Sequence, residues 1–262
     1  MAGLLLDAFW LEPSSLQVTH YNLPGNLDAM KGLRIAVISD LHAGSTFIDE
    51  AKMDRVVSLT NQAKPDLILL TGDYVVSIHR KFGGSPIPIE TIVAHLRLLH
   101  ANLGVYAVIG NHDRWENADR IAAAFRSAGI PVLENSHVII ATGRGPLYLV
   151  GIGDHYTHAS EPRVALSGIS SSAKALCFTH SPDVFPELPS QCALTVTGHT
   201  HGGQVWLPLL GRLVVPSRYG QRYAAGYVRE GDKSLFVSTG IGTSIFPIRL
   251  GVPPEISLLN LH

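Results

Sequence analysis

The chain has 262 residues, a net charge of −1, 46% apolar residues and a mean hydropathy of +0.20. Charged residues make up 16%, against about 25% in ordinary globular domains, which excludes a disordered chain and allows a sizeable core. The near-neutral balance excludes bulk attraction to nucleic acid or anionic lipid, so an anionic substrate must be drawn in by a local device such as a metal site.

Residues 1–11 are largely apolar but interrupted by Asp7. They are too short to span a bilayer, which takes about 20 apolar residues, and no basic residues precede them as in an export signal. They read as a lead that packs on the domain or touches a membrane surface. From Arg34 the chain alternates strand and helix. Strands are expected over 34–39, 67–71 and 105–109, with helices over 48–63, 89–100 and 118–128, as in parallel βαβ units with right-handed crossovers. Residues 82–88 form a Gly/Pro-rich loop. The second half turns β-rich, with short runs near 137–141, 147–152, 175–179, 193–197, 204–206, 212–215, 223–229, 234–239 and 255–261. This pattern predicts an α/β fold of two mixed sheets packed as a sandwich and flanked by helices, four layers in all. A lead and entry segment over 1–32 precedes one domain over 33–262. Cys177 and Cys192 both sit in apolar runs and read as small buried hydrophobes rather than a disulfide framework.

Each apolar run ends in polar chemistry. The strands finish in Asp40-Leu-His42, Gly72-Asp73, Gly110-Asn-His-Asp113, His180 and Gly198-His-Thr-His201. Five strand ends carrying carboxylate, imidazole or carboxamide converge where open α/β sheets place ligands. The Asp, Asn and His mixture without Cys suits Zn, Mn or Fe. With two metals, Asp73 is the carboxylate placed to bridge them. The glycines at 72, 110 and 198 allow sharp turns and close approach to a ligand.

This order of motifs resembles the calcineurin-like metallophosphoesterase superfamily over roughly residues 33–203. The resemblance implies that Asp40, His42 and His201 hold one metal, that Asn111, His180 and His199 hold the other, and that Asp73 bridges them. It further implies that His112 faces the substrate as general acid or charge stabiliser. Two such ions clamp the attacking and leaving oxygens at phosphorus and lower the pKa of a shared water, giving a metal-bridging hydroxide near neutral pH. Val76 stands where Ser/Thr protein phosphatases carry Asp and purple acid phosphatases carry Tyr. The stretch Gly198–Gln204 and the tail motifs at 238–244, 247–249 and 253–256 are similar instead to the bacterial YkuE- and YaeI-like phosphodiesterase branch. That likeness implies phosphodiester substrates, lipid-linked or nucleotide pyrophosphate, and a bacterial protein that is cytoplasmic or peripherally membrane-bound. A non-catalytic metal-binding module and a nuclease of the same superfamily are the alternatives; the charge balance disfavours a nucleic-acid partner.

Arg249 in the tail is a candidate to meet a substrate phosphate. Arg114, Arg218 and Arg222 read as solvated or structural, and Arg80-Lys81 as a surface pair that adds local positive field. The cluster Asp154-His155-Tyr-Thr-His158 is redundant once seven ligands are placed. Residues 238–244 lack the Lys and following helix of a phosphate-binding loop.

Overall fold

The computed structural model describes residues 2–25, 27–76 and 84–262. Arg80-Lys81, His79 and the start of the loop expected at 82–88 lie outside them. The strands of the first sheet are β1 (Gln17–Leu23), β2 (Arg34–Ile38), β3 (Leu67–Leu70) and β4 (Val105–Ala107), closed by β13 (Glu255–Leu261). The second sheet takes β5 (Ser136–Thr142), β6 (Gly145–Gly151), β7 (Ala175–Phe178), β8 (Cys192–Thr197), β11 (Gly226–Glu230) and β12 (Lys233–Val237). Between β8 and β11 in sequence, Trp206–Leu207 (β9) and Gly211–Arg212 (β10) form a separate short hairpin.

The first sheet runs β1-β13-β2-β3-β4, with β2, β3 and β4 parallel and β13 antiparallel to β2. The second runs β11-β12-β8-β7-β6-β5, parallel from β12 to β6 with antiparallel strands at both edges. Period-two alternation explains why both faces of β2 and β3 are apolar. Ile35, Val37, Leu67 and Leu69 face Leu149, Leu176, Phe178 and Val196 across the sandwich. Ala36, Ile38, Ile68 and Leu70 point the other way, against the helices.

The N-terminal residues 2–14 are helical and are labelled α1, with a π-turn at Asp7–Leu11. Helices α2 (Glu50–Gln62), α3 (Ile89–Leu96) and α4 (Asn111–Ser127) cover the first sheet through Met53, Val56, Ile92, Leu96 and Phe125. Asp49 caps α2 by accepting the Lys52 N–H at 2.8 Å. The outer face of the second sheet is covered by short helical turns carrying Ala165, Val184, Phe185 and Tyr223. The architecture is the four-layer mixed α/β sandwich that the sequence predicts.

Three elements differ from expectation. The entry segment contributes β1, an edge strand paired in parallel with β13, so part of residues 1–32 belongs to the first sheet. Helix α4 starts at Asn111, seven residues before the apolar spacing begins, and bends at Asn117. The cysteines are buried as expected but are joined: Cys177 and Cys192 form a disulfide between adjacent strands β7 and β8, with Cα atoms 5.5 Å apart. Their separation of 15 residues did not reveal this, because the contact depends on the strand register and its irregularity at Ala175/Leu176.

Candidate metal centre

The carboxyl ends of β2, β3, β4, β7 and β8 meet at one end of the sandwich, and each delivers its polar residues there. The turn after β2 places Asp40 and His42, both in the left-handed backbone region (φ 53° and 46°). Main-chain bonds sew it to the turn after β3: Asp40 N–H donates to Gly72 O and His42 N–H to Asp73 O, each at 3.0 Å. Gly72 has φ 97°, and a Cβ there would press on the Gly110 backbone and the His180 ring. Gly198 is needed for space, since a Cβ would collide with Ser39 Oγ and Asp40 Oδ2. Gly110 has ordinary φ (−91°) and its missing side chain makes room for Asp73.

The side chains converge in two groups that share one atom. In the first, His42 Nε2 lies 3.2 Å from His201 Nε2, and His201 Nε2 lies 3.4 Å from Asp40 Oδ1. In the second, His180 Nε2 lies 3.0 Å from Asn111 Oδ1 and 3.2 Å from His199 Nδ1. Asp73 Oδ2 stands between them, 3.6 Å from His42 Nε2 and 3.3 Å from His180 Nε2. All seven side chains are buried. Bonds of about 2.0–2.2 Å to a divalent ion set neighbouring donor atoms about 3.0–3.5 Å apart around it, so the donor set fits. Asp40 Oδ1 has no hydrogen-bond partner although it is buried, and an orphaned buried carboxylate oxygen wants a cation.

Electrostatics prepares the same donors. Burial pushes the imidazoles of His42, His199 and His201 down, His201 to about 4, so they are neutral donors at neutral pH. For Asp73, burial opposes ionisation, yet His180, His112 and His42 hold its carboxyl well below the usual range. His180 runs the other way: burial opposes its protonation, but adjacent Asp73 outweighs burial and raises it.

A supporting layer fixes the turns. Asp113 is fully buried and accepts from the N–H groups of Gly110 (2.9 Å), Asp73 (2.8 Å) and Tyr74 (2.9 Å). It therefore caps the start of α4 and clamps the Asp73 turn in one stroke, which explains why the helix begins at Asn111 without apolar spacing. Burial and the neighbouring Asp73 charge push its carboxyl up to about 7. His180 Nδ1 meets Thr71 O at 2.8 Å and His201 Nδ1 meets Gly242 O at 3.3 Å, which directs the other ring nitrogen of each into the centre.

His112 is half-buried on the first turn of α4. Its ring packs edge-on against His42 at 4.6 Å, and its main-chain N–H donates to Asp73 Oδ1 at 2.8 Å. It lines the open cleft above the centre, whose volume is about 280 Å³.

Arg249 is corrected by the structure. It is 0% exposed, beneath the centre, and its guanidinium donates to the carbonyls of Gly242 (2.6 Å), Val252 (2.8 Å), Thr239 (2.9 Å) and Gly240 (3.2 Å). A substrate phosphate cannot reach it; it holds the 239–242 loop that contacts His201. Asp154 also stays outside both donor groups, with its carboxylate accepting from Thr157 N–H and Oγ1 at 2.9 and 2.8 Å. The aromatic rim of the cleft, Trp115 and Tyr156, was not identified in the sequence; Trp115 one helical turn after His112 was the available signal.

A family model described as calcineurin-like phosphoesterase matches residues 33–203. The chain is 32% identical over 258 residues to phosphodiesterase YaeI of Escherichia coli K12, covering 96% of this chain and 90% of that protein. It is 27% identical over 259 residues to the metallophosphoesterase YkuE of Bacillus subtilis, covering 97% and 88%. Among solved structures, phosphopantetheinyl hydrolase of Mycobacterium tuberculosis aligns with a TM-score of 0.47 and 12% identity over 82% of this chain and 94% of that one.

Proposed function

The chain belongs to the calcineurin-like phosphoesterase family and is a hydrolase of phosphoester bonds, and on that premise we propose that it is a phosphodiesterase working with two divalent ions bridged by Asp73. The observation that carries this is the shared position of Asp73 Oδ2 between two donor groups. Asp40, His42 and His201 would hold one ion and Asn111, His180 and His199 the other, with Mn, Fe or Zn suited to such donors. Bound there, the ions would supply Lewis-acid stabilisation of the phosphoryl oxygens and activate water for attack.

The chain's own residues do the rest. Because imidazole and carboxamide donors add no negative charge, two divalent ions against the carboxylates of Asp40 and Asp73 would leave the centre positive enough to receive an anion. His112 stands beside it on the cleft wall, where it would give a proton to the departing oxygen. Asp113 and Arg249 hold the turns on which the donors sit.

A lipid-linked substrate reached from a membrane surface is supported by the apolar face beside the cleft. Leu4, Leu5, Leu6, Phe9, Trp10 and Leu11 of α1 are exposed. So are Leu209, Leu210, Leu213 and Val214 of the β9–β10 region, Ile245 on the cleft lip and Phe246 next to it in sequence. Segment 249–251 ties these parts together, with Arg249 N–H donating to Ala8 O and Trp206 N–H to Leu250 O. Exposed apolar clusters of this kind mark interaction surfaces, and no carboxylate occurs between Glu187 and Glu230 to repel anionic headgroups. No described helix is long and apolar enough to cross a membrane.

The test is elemental analysis of the purified protein with hydrolysis of bis-p-nitrophenyl phosphate, for wild type and Asp73→Asn. About two metals per chain, diester turnover, and a folded but inactive variant are expected; retained activity in the variant overturns the bridging role. Flotation with anionic liposomes, with and without residues 1–12, tests the surface, and equal flotation removes α1 from it.

A further inference from the structure

One wall of the cleft runs from the metal centre's own His112 and His199 across two rings, Trp115 and Tyr156, that the centre does not use. His112, Trp115, Tyr156 and His199 form an unbroken aromatic arc along it. Ring centroids are 4.9 Å apart for His112 and Trp115, 6.0 Å for Trp115 and Tyr156, and 5.0 Å for Tyr156 and His199. The two middle members come from opposite halves of the sandwich. Trp115 projects from α4, and Tyr156 from the loop after β6. Both remain open to solvent, 46% and 52% exposed. Large aromatic rings left half-open inside a cleft are surfaces for a ligand rather than core packing.

The Tyr156 loop is also built to hold its shape. Asp154 is fully buried and its carboxylate accepts from Tyr156 N–H (3.3 Å), Thr157 N–H (2.9 Å) and Thr157 Oγ1 (2.8 Å). Asn135 ties the flanks, accepting from Gly153 N–H and donating to Ala159 O. This gives a purpose to the polar cluster at 154–158, which coordinates nothing at the centre.

We infer that Trp115 and Tyr156 form a leaving-group subsite for phosphate esters that carry a planar ring, such as a nucleobase or aryl group. The inference rests on the phosphodiesterase reading of the centre. A group that departs after taking a proton from His112 lies against the neighbouring Trp115 ring and along the arc. An alkyl group there touches the same rings over less area and gains less.

The test is isothermal titration of the manganese-loaded protein with inorganic phosphate, methyl phosphate, phenyl phosphate and adenosine 5′-monophosphate. In the wild type, the two ring-bearing esters bind about tenfold tighter than methyl phosphate, the scale of one stacked ring. Trp115→Ala and Tyr156→Ala each shrink that preference to about twofold or less, whereas Trp115→Phe and Tyr156→Phe retain it. Inorganic phosphate binds all variants equally, which separates the subsite from the centre and from any effect on His112. A preference for phenyl phosphate alone assigns an aryl subsite, and preference for both assigns one wide enough for a base. Phosphate binding without ring preference, or a preference untouched by both alanine variants, overturns the subsite and spares the centre. Failure of the wild type to bind phosphate at all overturns the phosphodiesterase reading and the subsite with it.

Discussion

Replacing Arg249 with Ala separates the structural assignment from a substrate-binding one. The guanidinium makes three short bonds, to the carbonyls of Gly242 (2.6 Å), Val252 (2.8 Å) and Thr239 (2.9 Å), in a fully buried position. Each buried carbonyl left without a partner costs about 1–3 kcal/mol, so the loss is roughly 3–9 kcal/mol before compensation. Burial of the charge is itself unfavourable and lowers the Arg249 pKa to about 10, so removing it returns part of that sum. The net expectation is about 3–5 kcal/mol, the scale seen when one partner of a buried charged network is removed. Urea unfolding of metal-free protein reads this as a midpoint lowered by roughly 1–2 M. Gly242 O also receives His201 Nδ1, so metal held with His201 should be weakened as well. Arg249→Lys keeps a charge but not the fork of donors, and falls between. A variant with wild-type stability and metal content but a raised KM would refute the structural role and restore a substrate contact.

Three further outcomes follow from the same geometry. Gly198→Ala drives a Cβ into Ser39 Oγ and Asp40 Oδ2 and should lose about one metal equivalent with an unchanged circular dichroism spectrum; full metal content would refute the close-packing argument. Replacing Cys177 and Cys192 together with Ala opens a 15-residue loop, a loss of about 3 kcal/mol on chain-entropy grounds; two free thiols in the denatured, unreduced wild type would show that the bridge is absent. Metal should leave in two steps as pH falls. His180 is raised above its ordinary value by Asp73, so protons compete for it from a higher pH than for His201, and affinity at its site drops about tenfold per pH unit below that pKa. His201 is depressed to about 4, so its site is spared until about that pH. Elemental analysis across pH 8 to 5 should show one equivalent lost first, and simultaneous loss of both would contradict the asymmetry.

What was legible in the sequence was local. Runs such as Ile35–Ile38 and Leu67–Leu70 are apolar on both faces because parallel strands are covered on both sides, and their ends are marked by Asp, Asn and His. What was not legible depends on distant pairing. Strand β1 alternates weakly, and its partner β13 lies at the other end of the chain. The bond between Cys177 and Cys192 depends on the register of β7 against β8. Arg249 lies between prolines in an apparent loop, and only the fold draws its side chain under the metal centre.

The remaining gap concerns strain, and it explains why the candidate ligands needed more than themselves. Asp40, His42, Asp73, His199 and His201 all adopt left-handed backbone conformations (φ 46° to 71°) that glycine would occupy freely. Each such residue costs about 1–2 kcal/mol, so five together cost roughly 5–10 kcal/mol, comparable with the whole stability of a domain. Glycine at these positions would relieve the strain but offer no donor atom. The turns therefore persist because neighbouring groups over-determine them. Asp113 clamps three N–H groups around Asp73, the 239–242 loop under Arg249 packs on Asp40, and Gly198 leaves room for Ser39 and Asp40. A metal-binding motif read as a row of Asp and His thus records only the donors. The residues that hold those donors in strained turns are as necessary, and their roles emerge only when the strand ends meet.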